Sequence, residues 1–166
     1  GVTNGKNPYG SLIQAQNDKL YGMTSSGGSN NAGVIFEFDP STCTLIKKID
    51  LGKDTRNPNG SLFQAFNGKF YGMTSYGGYN DQGVLFEWDL LTEKFTKKFD
   101  FDASENGRNF TGSLIRANNG MLYGMSLHGG IYDQGTLFEL DPATDTYTKK
   151  YDFDGLENGK LPYGSL

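Results

Sequence analysis

The tripeptide Gly-Ser-Leu begins at Gly10, Gly60, Gly112 and Gly164, at spacings of 50, 52 and 52 residues. Between these marks the same order recurs. "GSLIQAQNDKLYGMTSSGG…GVIFEFDPSTCTLIKKID" is followed by "GSLFQAFNGKFYGMTSYGG…GVLFEWDLLTEKFTKKFD" and then by "GSLIRANNGMLYGMSLHGG…GTLFELDPATDTYTKKYD". The last five residues, "PYGSL", open a fourth copy. A chain that repeats itself every 50 or so residues builds one supersecondary unit several times and stacks the copies.

Each copy reads as four short strands. In the first copy they are Ser11–Ala15, Lys19–Ser25, Gly33–Asp39 and Leu45–Leu51. Turn signals separate them: Asn-Gly in the later copies after strand one, Gly27-Gly28 after strand two and Pro40-Ser41-Thr42 after strand three. No segment sustains a 3.6-residue period, so almost no helix is expected. The runs "GVIFEF" and "GVLFEW" are apolar on both faces, which implies sheets covered on both sides. Four-stranded units at this period are the signature of propeller blades. The expectation is an all-β, β-propeller fold of four-stranded antiparallel blades, about three in this chain. The 166 residues then form a single partial propeller domain, with blades at 8–57, 58–109 and 110–161 and a fourth repeat starting at 162–166. The two residues added in the later copies fall between blades, in "DFDASENGRNF" and "DFDGLENGKLP", as in a surface loop.

The order "G-x-LYGMTS-x-GG-x₄-G-x-LFE-x-D", followed by "G-x-x-P-x-GSL", is similar to the GloVer tandem repeat of bacterial proteins, and more loosely resembles kelch-type blades. The likeness covers nearly the whole chain. It implies a β-propeller within a larger exported or surface protein, hence a secreted or cell-surface setting. It carries no catalytic residue and no ligand to transfer. Three blades do not close a ring, since propellers generally close with 4–8. Self-association is therefore expected, with two three-blade chains forming a six-bladed ring, or closure by the remainder of a larger propeller. An uncovered strand edge after Gly164 supports either.

Composition narrows the function classes. Glycine is 24 of 166 residues and aromatics are 14%, which suits short strands, tight turns and an aromatic core. The net charge is −4 with both signs interspersed, so no basic stripe invites nucleic acid. No apolar run reaches the length of a membrane span. Cys43 is the only cysteine and can form no internal disulfide. The chain opens on Gly1, and a processed leader is compatible with that.

A residue repeated in every copy most simply serves the blade. Tyr21, Tyr71 and Tyr123 read as packing residues between blades with hydroxyls in water. Gly22, Gly72 and Gly124 read as sites of close backbone approach. The paired glycines 27/28, 77/78 and 129/130 read as positive-φ turns. Glu37, Glu87 and Glu139 are expected to pair across the hairpin with the Lys-Lys pairs of strand four. Asp39, Asp89 and Asp141 read as Asx-type caps of the next turn. The loops "DFDASENG" and "DFDGLENG" lack the ligand series of a calcium loop and read as solvated. Trp88 reads as core and Cys43 as an exposed bystander. No catalytic set, metal cluster or cofactor motif stands out.

Specificity is expected where copies differ beside the Gly-Gly turns. Tyr76, Tyr79, Asn80, Asp81 and Gln82 in the second copy, with His128, Tyr132, Asp133 and Gln134 in the third, are the candidate ligand-binding residues. Flat aromatic faces beside amides and carboxylates are what a sugar requires. The reading is thus a non-catalytic binding or assembly scaffold for a protein partner. The alternative is a lectin-like propeller taking a glycan at one shallow site per blade.

Overall fold

The computed structural model describes residues 4–166. Its strands form three antiparallel four-stranded sheets, each in chain order. Sheet one holds β1 (Ile13–Gln14), β2 (Leu20–Thr24), β3 (Val34–Asp39) and β4 (Thr44–Asp50). Sheet two holds β5 (Phe63–Gln64), β6 (Phe70–Met73), β7 (Val84–Asp89) and β8 (Lys94–Asp100). Sheet three holds β9 (Ile115–Arg116), β10 (Leu122–Ser126), β11 (Thr136–Asp141) and β12 (Thr146–Asp152). Among the described residues no helix is long and apolar enough to cross a membrane.

The turns follow the sequence closely. Asp39, Asp89 and Asp141 each accept a backbone N–H two residues on, from Ser41, Leu91 and Ala143. Cys43 lies at the tip of its turn at φ 55°, a left-handed position that its counterparts Glu93 and Asp145 share. It is exposed. The first strand of each sheet is shorter than expected, two residues rather than five. In sheet one Ala15 already starts the turn, its N–H donating to Lys19 O at 2.9 Å. Gly10 and Ser11 face the neighbouring sheet instead of β2.

That neighbour contact is a ladder of Gly-Ser pairs. The backbone N–H of Ser11 donates to Ser61 Oγ at 2.7 Å, Ser61 to Ser113 Oγ at 2.9 Å, and Ser113 to Ser165 Oγ at 2.8 Å. A Cβ on Gly10, Gly60 or Gly112 would lie 2.3, 2.0 or 2.0 Å from the carbonyl oxygen of the next glycine in the series. Only glycine lets the backbones approach this closely. The repeated Gly-Ser-Leu is therefore a seam that holds the sheets side by side.

Two cores fill the gaps between sheets. Between sheets one and two, Tyr21, Met23 and Ile35 pack against Phe70, Phe86 and Trp88. Between sheets two and three, Tyr71, Met73 and Leu85 pack against Phe110, Leu122 and Phe138. Each sheet thus has a leading face, with the Tyr and Met of its second strand, and a trailing face, with the Phe of its third. A β-bulge in each fourth strand serves both faces. The register slips between Ile35 and Phe36, Leu85 and Phe86, and Leu137 and Phe138. Two consecutive lysines oppose this slip, and the extra residue reverses the side-chain alternation beyond it. Phe95 therefore packs on the preceding sheet and Phe99 on the following one.

The second-strand glycines admit a ring rather than a backbone. A Cβ on Gly22, Gly72 or Gly124 would lie 2.7, 2.4 or 2.5 Å from the tip carbon of Phe36, Phe86 or Phe138. Sheet two is covered on both faces, as its sequence predicts. Among the described residues, sheets one and three each have one face with no neighbouring sheet.

The tyrosine hydroxyls are held by hydrogen bonds within each sheet. Tyr21 Oη donates to Glu37 at 2.5 Å and accepts from Asn17 at 2.9 Å, and burial with this carboxylate pushes its pKa up to about 12. Tyr71 donates to Glu87 at 2.9 Å, and Tyr123 donates to Glu139. The expected Glu–Lys pairing holds only in part. Glu87 meets Lys98 at 3.7 Å and Glu139 meets Lys150 at 3.4 Å, while Glu37 takes the tyrosine and Lys48 reaches Glu93 of the next sheet. The first lysine of each pair instead holds the aspartate three residues on, at Asp50, Asp100 and Asp152.

Glu87 is buried, and burial alone would raise its pKa. The hydrogen bonds from Lys69 at 2.9 Å and from Tyr71 outweigh this and hold it below its ordinary 4.5. A carboxylate with a lowered folded pKa stabilises above its unfolded value and loses that contribution as pH falls through the folded one. Asp50, Asp81, Asp133 and Glu139 are lowered in the same direction. The urea midpoint is therefore expected to fall steadily from about pH 5 to about pH 3, and less steeply in Glu87→Gln. A midpoint that is flat across that window refutes the pairing.

Candidate functional site

Each Gly-Gly turn is fixed by polar groups from outside it. The second glycine, Gly28, Gly78 or Gly130, has φ 75° in every sheet. A fourth-strand aspartate caps the next residue: Asp50 accepts from Ser29 N at 2.8 Å, Asp100 from Tyr79 N at 3.0 Å, and Asp152 from Ile131 N at 3.0 Å. Four residues past the first glycine a second cap closes the loop. Asp81 accepts from Gly77 N at 2.8 Å and Asp133 from Gly129 N at 2.8 Å, and Asn31 does the same for Gly27 at 3.2 Å. These residues sit at φ 58°, 52° and 53°, where Asn and Asp are tolerated.

Asp81 and Asp133 each also hold an arginine. Arg56 reaches Asp81 at 2.6 Å and Arg108 reaches Asp133 at 3.0 Å. The Gly77 N–H, and after it Arg56, hold the Asp81 carboxyl below the usual range; Gly129 and then Arg108 do so for Asp133. Both carboxylates are thus held by a backbone N–H of their own loop and by an arginine from the preceding connection. The sequence hides this, because Arg56 and Arg108 lie 25 residues upstream. The recurring basic residue two positions before Pro58 and Phe110 is the one available signal.

The other candidates divide. Tyr76 carries Arg56 over its ring at 5.6 Å, and its backbone pairs with Arg56. His128 occupies the same position in sheet three and pairs through its backbone with Arg108. Gln82 donates to Asn80 O within the loop at 3.2 Å. Tyr79 is 91% exposed, and Tyr132 and Ile131 are also exposed. The structure brings Tyr76, Arg56 and Asp81 together, and His128, Arg108 and Asp133 together, around the two Gly-Gly turns. The acidic loops cap themselves likewise: Asp102 accepts from Glu105 N and Asn106 N, and Asp154 from Leu156 N and Asn158 N. No group of three or more His, Cys, Asp or Glu forms a metal cluster among the described residues.

Apolar surface also lies elsewhere, on the two open faces. Sheet one's trailing face is a shallow apolar depression lined by Leu12, Gly22, Phe36, Phe38 and Leu45. Leu45 is 48% exposed. The equivalent Leu62, Gly72, Phe86, Trp88 and Phe95 of sheet two lie against sheet one, most of them in the core. Sheet three's leading face presents Ile115, Tyr123, Met125, Leu137 and Tyr151. The equivalent Phe63, Tyr71, Met73, Leu85 and Phe99 pack against sheet three. Both open faces are therefore halves of a junction the chain forms twice internally.

No curated protein matches the sequence. Among 74 similar solved chains is one from Bacteroides fragilis, provisionally named a 6-phosphogluconolactonase, which superposes with a TM-score of 0.56 at 21% identity. The match covers 93% of this chain and 40% of that one, so this chain spans two fifths of its length. The likeness concerns the fold alone. The repeated seam, turns and caps agree with a family model, the Gloeobacter/Verrucomicrobia repeat, that matches residues 1–166, and the chain belongs to that family.

Proposed function

We propose that the three sheets are blades of a β-propeller, and that the chain is a non-catalytic repeat scaffold that works by docking further blades or a partner onto its open faces. One observation carries this reading: each open face repeats, position for position and with apolar residues, a surface that is buried at an internal junction. The order of aromatic-Gly and Gly-Gly in each blade favours a kelch-like variety. Carboxylates beside the Gly-Gly turns hold backbone N–H groups and arginines, which suits a scaffold better than acid–base chemistry.

Asn158–Leu166 repeats Asn4–Leu12 with a single change, Leu161 for Asn7, so a second set of blades can be joined without altering the spacing. Residues 4–166 followed directly by 13–166 form such a six-sheet chain. Small-angle scattering is expected to give a compact disc with a radius of gyration near 20 Å, about the value for a folded chain of that length. An elongated particle refutes the propeller reading.

Glycan binding is the second reading, favoured by the free ring of Tyr79 and the exposed ring of Tyr132. A glycan array on the closed form, with hits lost in Tyr79→Ala and Tyr132→Ala, supports it. An array without hits removes it.

A further inference from the structure

We propose that the open face of sheet three receives the open face of sheet one of a second copy, and that Asn158–Leu166 is an internal mimic of the segment that copy brings. The inference rests on the blade reading and adds the partner and its control. The internal junctions supply the template. Ile49 and Phe95 both pack on the core of the first, and Phe99 stacks on Tyr147 at 4.1 Å across the second. The same positions at the open ends are Tyr151 and Leu45. Tyr151 is 40% exposed and, like Leu45, has no neighbouring sheet to pack on.

The mimicry is closer than the repeat alone requires. Asn4–Leu12 differs from Asn158–Leu166 at one position in nine, but from the internal segments 54–62 and 106–114 at four and three. Ser165 already accepts from Ser113 N, the contact a second copy's Ser11 would make. The two segments therefore compete for one place. Their anchoring is unequal. Asn4–Leu12 is tied to its own sheet by Lys6 N to Ser26 O at 2.7 Å, Ser26 N to Lys6 O at 3.2 Å and Ser25 N to Asn7 O at 3.0 Å. Between its own residues 158–166 and sheet three, the mimic has Leu161 N to Gln134 O at 2.8 Å and the Ser165 contact. It also puts a leucine at φ 46°, where the three equivalent residues are asparagines at 56–57°. A leucine is disfavoured there, so the mimic is the segment that yields.

The charges make one adjustable contact. Lys48 pairs with Glu93, and Lys98 with Asp145, across the internal junctions. At the new junction Lys150 faces the partner's equivalent turn residue, which is Cys43.

Sedimentation of the full chain over a concentration series tests the proposal. Reversible association above 18.2 kDa is expected. Ending the chain at Lys160 should tighten it roughly tenfold, by freeing the occupied place. Cys43→Asp should tighten it about 1.5- to 5-fold through Lys150. Leu45→Lys, at a half-exposed site that leaves the monomer folded, should abolish it. Disulfide trapping gives an independent readout. In a Cys43→Ser background, one chain carrying Leu45→Cys and one carrying Tyr151→Cys are mixed with oxidised glutathione. A covalent pair from the mixture, and none from Leu45→Cys alone, supports the head-to-tail contact. Association unaffected by Leu45→Lys, no association at any concentration, or trapping by Leu45→Cys alone overturns it. If the joined six-sheet chain closes while separate copies do not associate, this inference fails and the blade reading stands.

Discussion

Gly60→Ala is expected to destabilise the protein by about 3 kcal/mol or more. The added Cβ would lie 2.0 Å from Gly112 O and 2.8 Å from its carbonyl carbon. The obstacle is backbone in the seam, so it cannot rotate away as a side chain would. Relief requires sheets two and three to part, and that loosens the core formed by Phe101, Phe110 and Phe138. Gly52→Ala is the control, because nothing lies within 4 Å of its Cβ position. For a chain of this size about 3 kcal/mol corresponds to a loss of roughly 6–12 °C in Tm. Trp88, the only tryptophan, reports the transition by fluorescence. A Tm loss as small as that of Gly52→Ala means the seam is not closely packed.

Trp88→Ala is expected to cost about 3–5 kcal/mol, the range for removing a large aromatic side chain from a core. Trp88 is 1% exposed and meets Phe70 at 5.2 Å and Tyr21 at 5.8 Å between ring centres. It joins sheets one and two, so its loss leaves a cavity at a junction rather than within one sheet. Trp88→Phe should cost far less, since an aromatic ring remains and the buried indole N–H has no hydrogen-bond partner to lose. Phe38→Ala, at the equivalent place on the open face of sheet one, should cost about 1 kcal/mol, because that ring has no sheet against it. Calorimetry measures all three without relying on the tryptophan. Equal losses for Trp88→Ala and Phe38→Ala contradict the assignment of one face as buried and the other as open.

The candidate site was less legible than the fold, for a physical reason. The exposure of Tyr79 and Tyr132 was legible, because an aromatic in a variable loop is visible one residue at a time. The capping roles of Asp81 and Asp133 were not legible, because a carboxylate in a loop looks the same whether it faces a ligand or caps Gly77 and Gly129. Its partner arginine approaches from the preceding connection, which local pattern cannot reveal. The tyrosine hydroxyls were misplaced similarly. Tyr21 and Tyr71 alternate as strand residues should, but Glu37 and Glu87 lie directly across in register and accept hydrogen bonds from their hydroxyls.

The sequence by itself determined the repeat, the four strands of each unit, the Asx-capped turns and the positive-φ glycine pairs. These depend on backbone sterics and on bonds spanning a few residues, so each copy states them in full. Tertiary structure decided which face of each sheet meets which neighbour. It decided that Gly-Ser-Leu is a seam, that a bulge at the Lys-Lys pair lets one strand serve two cores, and which apolar faces have no neighbouring sheet among the described residues. Those outcomes depend on contacts between residues some 50 positions apart, and a repeated sequence gives every copy the same faces whether or not a neighbour is there to cover them.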